Sequence, residues 1–285
     1  MRKKTQAVSL SIVIPVFNDE HHLKHCLESI AAQTVMPSKV IVVDNNSTDS
    51  SAKIARQYPF VRVVHEKQQG VVFARNKGFD VADTDLIGRI DADTQLPPEW
   101  VDRVLAIFEQ TDVAAVSGPV GWYDAPAKSF GMFMDKSIRR ITWRLGSKDD
   151  AVFLFGSNMA LRRNSWQKVR DGVCTDKNVH EDIDLAIHLL RADLPVAFDD
   201  SLYAMTSSRR INDPHKQLKK YVDIYQNTYR VHGIKTTSTW PAVIIPLVAH
   251  FGIKLIKRGY DPETGQFSLK RFVDNDISPR VHPMG

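Results

Sequence analysis

Cysteine is scarce in this sequence, since Cys26 and Cys174 are the only two among 285 residues. Two thiols exclude a disulfide framework and are compatible with a reducing cytoplasm. The basic N-terminus runs into a strand-like apolar stretch without a small-residue cleavage site, so we expect no signal peptide. The apolar run over residues 240–256 is shorter than the stretch of about 20 residues that a membrane span needs. We therefore expect a cytoplasmic protein.

Two catalytic signatures are also missing. His180 and His188 do not have the HExxH spacing of a zinc protease. A nucleotidyltransferase would need a glycine-rich basic loop after the first strand, and Pro15 to Glu20 do not provide one. The histidines of the first helix, at positions 21, 22 and 25, are best interpreted as a solvated face.

The overall composition is that of a globular protein, with 43% hydrophobic and 25% charged residues. A net charge of +5 suits anionic ligands such as nucleotides, or an anionic membrane surface. This modest excess does not by itself indicate nucleic acid, and we expect no nucleic-acid partner.

Strand-like and helix-like segments alternate over the first 120 residues. The apolar runs predict strands at residues 8–17, 40–43, 61–65, 86–90 and 113–117. Such alternation predicts an α/β fold with a single, mostly parallel, Rossmann-like sheet flanked by helices. Ligands of these sheets bind at the carboxyl ends of the strands, where the polar clusters of this sequence lie.

The fourth predicted strand leads into Asp91 and Asp93. Alternate residues of a strand share a face, so we expect these two carboxylates to point the same way. Like charges this close favour a cation between them, and a hard divalent ion prefers oxygen ligands. The alternative is a polar turn in which Asp93 caps the next helix.

Five motifs in order resemble family 2 glycosyltransferases of the GT-A fold. They are the segments 12–18, 42–49, 74–76, 91–93 and 181–182. The resemblance covers about residues 8–200. It implies an inverting transferase that uses a nucleotide-diphosphate sugar and Mg²⁺ or Mn²⁺.

The resemblance also implies roles for individual residues. The expected nucleotide-sugar contacts are Pro15, Phe17, Asp44, Asn45, Arg75, Asp91, Arg209 and Arg210. Asp93, helped by Asp91, is expected at the metal, and Asp182 is similar to the family's catalytic base, with Glu181 beside it. Many members have an aspartate at the position of Asn45, so the nucleotide base stays open. Helix capping is the alternative for Glu181 and Asp182.

We expect residues 1–212 to form the catalytic domain and residues 213–285 a helical extension. The acceptor, a saccharide or a lipid-linked saccharide of the cell envelope, would bind near residues 122–160. The run 240–256 would either pack on the domain or rest on the inner face of the cytoplasmic membrane, with basic residues such as Lys254 near headgroups. A nucleotidyltransferase and a catalytically degenerate sugar-nucleotide-binding or scaffold protein remain alternatives.

Overall fold

The computed structural model describes residues 8–125, 132–133, 135–137, 140, 154–234, 252–261, 264 and 266–269. Much of the predicted acceptor region 122–160 and most of the run 240–256 lie outside these residues. Ten strands are described: β1 (Leu10–Val16), β2 (Lys39–Asp44), β3 (Val61–His65), β4 (Leu86–Arg89), β5 (Thr94–Gln95), β6 (Ala115–Ser117), β7 (Val120–Trp122), β8 (Met159–Arg162), β9 (Val196–Phe198) and β10 (Ala204–Thr206).

Seven of these strands form the central sheet, in the order β3-β2-β1-β4-β8-β6-β9. Neighbouring strands run parallel except at β8, which is antiparallel to both β4 and β6. The prediction of a mostly parallel sheet is therefore confirmed. A second, small sheet has the order β5-β10-β7.

The described helices and strands alternate from β1 to β4, and the order is mixed after that. They are α1 (Glu20–Ala31), α2 (Ser51–Ala55), α3 (Val71–Val81), α4 (Trp100–Gln110), α5 (Arg163–Val169), α6 (Glu181–Arg191), α7 (His215–Val231) and a 3₁₀ helix over Ser208–Asn212. A further helical segment covers residues 252–258. Among the described residues, no helix combines the length and the apolar character needed to cross a bilayer.

The sheet has a hydrophobic core on each face because its strands are buried on both sides. Ile12 and Ile14 of β1 pack in one cluster with α1 and α4. Val13, between them, packs in the other cluster with α3, α5 and α6. This two-sided burial explains why β1 and β2 are continuous apolar runs without polar alternation.

Helix α3 approaches the sheet closely at Gly78. A Cβ atom added there would lie 2.2 Å from Cγ1 of Val13 and 3.0 Å from Cγ2 of Val43. Only glycine fits this contact without a shift of the helix or the strands. The close packing fixes the height of α3, which carries Arg75, above the sheet.

Helix α7 packs on α6, although the sequence places it in the predicted extension. Tyr229 of α7 clusters with Ile183 and Ile187 of α6. Lys254 donates hydrogen bonds to the carbonyl oxygens of Asn212 and Asp213, at 3.0 and 3.2 Å. The expectation that Lys254 faces membrane headgroups is therefore wrong, because its ammonium group is used within the protein. The boundary at residue 212 stays a prediction.

Candidate active site

The loops that follow β1 and β2 are joined by hydrogen bonds at the carboxyl edge of the sheet. The Asn18 side-chain oxygen accepts the Thr48 N–H at 2.7 Å, and the Ser47 hydroxyl accepts the Asn18 N–H at 3.1 Å. Asn18 and Asn46 both have positive φ angles, 48° and 65°, which asparagine tolerates better than most residues. The two loops thus form one polar rim above the sheet.

The predicted nucleoside contacts lie on this rim. Pro15 and Phe17 are partly exposed at the end of β1, and Asp44 is buried at the end of β2. Asn45 donates both amide hydrogens to the carbonyls of Glu66 and Gln68, at 2.9 and 2.7 Å. Its oxygen accepts the Gly70 N–H at 2.8 Å. Asn45 therefore holds the loop at residues 66–70 against β2, which occupies most of its hydrogen-bonding capacity.

The carboxylates of Asp91 and Asp93 do not share a strand face. Strand β4 ends at Arg89, and the two aspartates lie in the turn beyond it, which is closed by the Thr94 N–H bonding the Asp91 carbonyl at 3.0 Å. Asp91 pairs with Arg89, with Oδ1 3.0 Å from Nη2. Asp93 instead accepts from the Thr206 hydroxyl at 3.0 Å. The expectation from strand alternation is wrong because β4 ends before either aspartate.

Arg209 lies between two carboxylates of this edge. Its Nη2 is 2.9 Å from Oδ2 of Asp93, and its Nη1 donates to Oδ1 of Asp19 at 2.8 Å. His22 Nδ1 is 2.7 Å from the same Asp19 oxygen, so this histidine belongs to the site and not to a solvated face. Burial would raise the pKa of Asp19, but His22 and Arg209 outweigh that effect and lower it.

Arg89 joins Asp91 to the two carboxylates that begin α6. Its Nη1 donates to both oxygens of Asp182, at 3.0 and 3.1 Å, and its Nη2 donates to Oε1 of Glu181 at 3.3 Å. The Arg89 side chain is only 3% exposed. A buried guanidinium is stable only with such partners. Burial would raise the pKa of Glu181, but His180, Arg89 and Arg75 lower it.

A glycine makes room for the Arg89 guanidinium. A Cβ atom at Gly156 would lie 0.6 Å from Nη1 of Arg89, so no larger residue fits. The Gly156 N–H also donates to Oδ2 of Asp182 at 2.7 Å. The Asp182 carboxylate is thus fixed from two sides, by Arg89 and by the backbone of residue 156.

Arg75 is fully buried beneath this cluster. Its Nη1 donates to the carbonyl of Glu181, and its Nε and Nη2 donate to Oδ1 of Asn76. The guanidinium lies 5.9 and 5.8 Å from the ring centroids of Phe79 and Trp166. Of the two roles expected for Arg75, contact with phosphate or shaping of the pocket, the enclosed guanidinium favours the second, and its contact with the donor stays a prediction. The guanidinium also positions the start of α6.

Helix α7 contributes Tyr221 to the site, where it contacts His180, the residue before α6. His180 Nε2 is 2.9 Å from the Tyr221 hydroxyl, and Arg210 stacks on the Tyr221 ring at 3.9 Å. Burial would lower the pKa of His180, but Tyr221, Glu181 and Asp182 raise it to about 9. The His180 ring thus lies beside the two carboxylates, with Nδ1 3.9 Å from Oε2 of Glu181.

A second cluster, further along α6, joins α7 to α6. The Asp184 carboxylate lies 2.8 Å from His232 Nε2 and 3.5 Å from His188 Nε2, and it accepts the Cys174 N–H at 2.9 Å. Burial would raise the pKa of Asp184, but His188, the Cys174 N–H and His232 lower it. The buried charge is thus balanced by these hydrogen bonds, and the cluster serves to hold the two helices together.

The amino-acid sequence matches the family model of glycosyl transferase family 2 over residues 11–170, more than half of the chain. The chain belongs to glycosyl transferase family 2. This membership identifies a transferase enzyme, and it favours that reading over the nucleotidyltransferase alternative.

Curated glycosyltransferases match part of this chain. The chain is 30% identical over 117 residues to the uncharacterized glycosyltransferase YibD of Escherichia coli K12, covering 40% of this chain and 34% of that protein. It is 34% identical over 110 residues to the undecaprenyl-phosphate 4-deoxy-4-formamido-L-arabinose transferase of Proteus mirabilis, covering 35% and 34%. The matches thus span about a third of the length of these relatives.

Two solved structures resemble the fold. The mannosyltransferase PcManGT of Pyrobaculum calidifontis, in complex with GDP-Man and Mn²⁺, has a TM-score of 0.62 at 16% identity, covering 88% of this chain and 71% of that one. The glucosyl-3-phosphoglycerate synthase of Mycobacterium tuberculosis, in complex with Mn²⁺, UDP-glucose and phosphoglyceric acid, has a TM-score of 0.56 at 17% identity, covering 81% of each. The fold is therefore the GT-A fold of glycosyltransferases, as predicted.

Three aspartates lie just beyond the carboxyl ends of β1 and β4, at the edge where the nucleotide-sugar donor is predicted to bind (the donor edge). Asp19, Asp91 and Asp93 offer carboxylate oxygens, which Mg²⁺ and Mn²⁺ prefer. The pKa of the nearby Cys26 thiol is raised well above its usual range, mainly by burial and further by the negative charge of these three carboxylates. A guanidinium already lies between two of them, which shows that this point of the structure favours positive charge.

Arg89, Asp19 and Gly156 are among the residues of the site that were not predicted from the sequence. Arg89 does carry a signal, because a charge inside an apolar strand run must find a buried partner. That signal does not name the partner, which lies 93 residues away at Asp182. Asp19 and Gly156 stand in ordinary loop sequence and give no comparable signal.

The buried Arg89 contacts generate a stability prediction. Arg89→Gln should lower the free energy of unfolding by about 3–5 kcal/mol, because Asp182 stays buried without its cation. Asp182→Asn in the same chain should restore part of the loss, since the uncompensated charge is then gone. Urea denaturation of the two single variants and the double variant measures this coupling.

Arg170→Gln is the matched control, because it removes a guanidinium that pairs with Asp80 at an exposed position. Its effect should be much smaller. Additive losses in the double variant would contradict the assigned pairing of Arg89 with Asp182.

Proposed function

We propose that this protein is an inverting glycosyltransferase that moves a sugar from a nucleotide-diphosphate donor to an acceptor hydroxyl. The observation that carries the proposal is the meeting of two carboxylate sets at Arg89. Asp91 comes from the donor edge of the sheet, and Glu181 and Asp182 come from α6. A transfer reaction needs these two sets close together, because the leaving group and the acceptor lie on opposite sides of one sugar carbon.

In this proposal Asp93, helped by Asp91, holds Mg²⁺ or Mn²⁺. Such an ion acts as a Lewis acid that stabilises negative charge on the departing diphosphate. Support comes from the carboxylate oxygens of this edge and from Mn²⁺ in the complexes of the two structural neighbours. Arg209 and Arg210 would add positive charge beside the diphosphate, since arginine matches phosphate with a planar fork of donors.

Pro15, Phe17 and Asp44 would line the nucleoside pocket on the rim above β1 and β2. Asn45 would shape that pocket through the 66–70 loop, because its amide already bonds three backbone groups. The structural neighbours were described with a guanosine and a uridine donor, respectively. The proposal therefore leaves the nucleotide base open.

Asp182 is the proposed general base, with Glu181 as its neighbour at the acceptor side. A carboxylate has about four acceptor directions. Three are used by Arg89 and the Gly156 N–H, which leaves one for an acceptor hydroxyl. A base held this rigidly can remove the proton as the hydroxyl attacks the sugar carbon. A single displacement of this kind inverts the configuration at that carbon.

The proposed acceptor is a saccharide or lipid-linked saccharide of the cell envelope, met at the inner face of the cytoplasmic membrane. One relative is named for an undecaprenyl-phosphate substrate, which is a lipid-linked molecule. Leu255 and Ile256, in the helical segment 252–258, are 42% and 52% exposed. Exposed apolar side chains on a helix support a peripheral membrane contact.

The assignment of the base is tested by two substitutions. Asp182→Asn should lower turnover by about 10² or more, because the amide cannot accept the proton. Its affinity for the donor should stay within a few-fold, since the donor edge lies at the strand ends. Glu181→Gln should lower turnover less. Steady-state kinetics and donor titration, with a nucleotide sugar found by screening for metal-dependent hydrolysis, measure both quantities.

Retained turnover in Asp182→Asn together with an inactive Glu181→Gln would assign the base to the other carboxylate. Loss of donor binding in Asp182→Asn would give this residue a structural role.

The metal assignment is tested by Asp93→Asn, which keeps the side-chain size and removes the charge. It should abolish the Mn²⁺-dependent part of nucleotide-diphosphate binding while the fold survives. Calorimetric titration of UDP and GDP, with and without Mn²⁺, measures this. Asp171→Asn is the control, because it changes an exposed carboxylate that pairs with Arg170. Unchanged metal-dependent affinity in Asp93→Asn would refute the assignment.

The membrane proposal is tested by flotation with anionic liposomes at low salt. The full chain should float with the vesicles, and a Leu255→Ser, Ile256→Ser double variant should remain below, because its apolar contact is lost. Val231→Ser is the matched control, since Val231 is 54% exposed at the end of α7. A full chain that does not float would show that no such contact exists under these conditions.

A further inference from the structure

The Arg209 guanidinium occupies the place where the donor site needs a cation. Its Nη2 is 2.9 Å from Oδ2 of Asp93, and the two amino groups of its fork both bond the Asp19 carboxylate. The other oxygen of Asp93 accepts from the Thr206 hydroxyl at 3.0 Å. Both oxygens of the proposed metal ligand therefore already have partners within the protein.

We infer that Arg209 is a displaceable counter-ion. While the donor is absent, its guanidinium pairs with the metal-binding carboxylates. When metal and donor bind, the metal takes the carboxylates and the guanidinium pairs with the diphosphate instead. The inference rests on the proposed function, because it takes Asp93 as a metal ligand. It adds a competition between a side chain of this protein and the metal.

Two features of Arg209 favour reversible ion pairs with Asp19 and Asp93. Its Nε is buried and has no hydrogen-bond partner among the described residues. A buried donor without a partner weakens the bound arrangement. The side chain is 22% exposed, so it has a direct route to solvent and to an incoming ligand. A diphosphate would offer the same fork new oxygen acceptors.

The backbone near Arg209 is held by contacts that do not involve the Arg209 guanidinium. The Ser207 hydroxyl donates to Oδ2 of Asp124 at 2.7 Å, and the Ser208 N–H donates to Oδ1 at 2.6 Å. Asp124 thus anchors the start of the 3₁₀ helix that carries Arg209. A long side chain on an anchored backbone can exchange one anion for another within the same site.

The exchange has opposite effects on the affinity for Mn²⁺ alone and on the affinity for Mn²⁺ with a nucleotide diphosphate. Mn²⁺ alone must displace Arg209 from Asp93, so the arginine weakens binding of the bare metal. Mn²⁺ together with a nucleotide diphosphate gives Arg209 a new partner, so the arginine strengthens binding of the pair. Such coupling between two ligands is reciprocal and typically about 5–150-fold.

Calorimetric titration of the full chain with Mn²⁺ alone, and with Mn²⁺ in the presence of UDP or GDP, tests the inference. Arg209→Gln should bind bare Mn²⁺ at least about fivefold more tightly than the wild type. The same variant should bind the Mn²⁺–nucleotide pair about tenfold more weakly, because a charge-assisted bond to phosphate is lost. Arg209→Lys keeps the charge, and both of its affinities should fall between those of the other two proteins.

Arg210→Gln is the matched control for the bare metal. Arg210 is the next residue, and its guanidinium stacks on Tyr221. Its positive charge also interacts with the negative charges of Asp91 and Asp93. Its removal should change bare Mn²⁺ affinity less than removal of Arg209, because it does not occupy the carboxylates. Arg209→Lys covers the case in which Arg209→Gln does not fold.

The outcomes separate this inference from the proposed function. If the wild type binds no Mn²⁺ with either nucleotide, the proposed metal site fails, and the inference fails with it. If the wild type binds the pair but Arg209→Gln and Arg210→Gln tighten bare Mn²⁺ equally, only the general charge matters, and the exchange is overturned. Weaker binding of both ligands by Arg209→Gln would give the arginine a structural role and would also overturn it.

Discussion

The carboxylates at the carboxyl edge of the sheet repel one another, and the surrounding structure must compensate for this repulsion. These carboxylates are Asp19 after β1, Asp91 and Asp93 after β4, and Glu181 and Asp182 at the start of α6. Like charges so close together destabilise a fold unless cations lie between them. Arg89 and Arg209 supply those cations, and each joins carboxylates from segments that are far apart in the sequence.

The antiparallel strand β8 explains how one of these cations is enclosed. Met159 at the start of β8 pairs with Arg89 at the end of β4. Because the two strands run in opposite directions, the loop before β8 lies beside the carboxyl end of β4. Gly156 in that loop leaves the space for the Arg89 guanidinium and bonds Asp182 from the other side. If β8 ran parallel to β4, its carboxyl end would lie at this edge, and the loop before it would lie at the opposite edge.

The sequence patterns predict the fold well and the site in part. Apolar runs and amphipathic stripes locate the strands and helices, since those signals are local. Side-chain partners are not local: Arg89 meets Asp182 across 93 residues, and Arg209 meets Asp19 across 190. One expectation failed for a geometric reason, because strand β4 ends before Asp91 and strand alternation does not apply there. The enclosure of Arg75 by Phe79 and Trp166 is also a matter of tertiary packing that the sequence pattern does not indicate.

The two bridging arginines differ in how firmly they are held, and the difference matches their places in the site. Arg89 is 3% exposed and bonds carboxylates on three sides, so its removal from the site would expose buried charge. Arg209 is 22% exposed, its guanidinium pairs with Asp19 and Asp93, and Asp124 anchors the backbone beside it. Under the proposed function, the firmly held cation lies on the acceptor side, where a proton must be taken in one fixed geometry. The more exposed cation then lies on the donor side, where a charged ligand must enter and leave, as the inferred exchange of Arg209 requires.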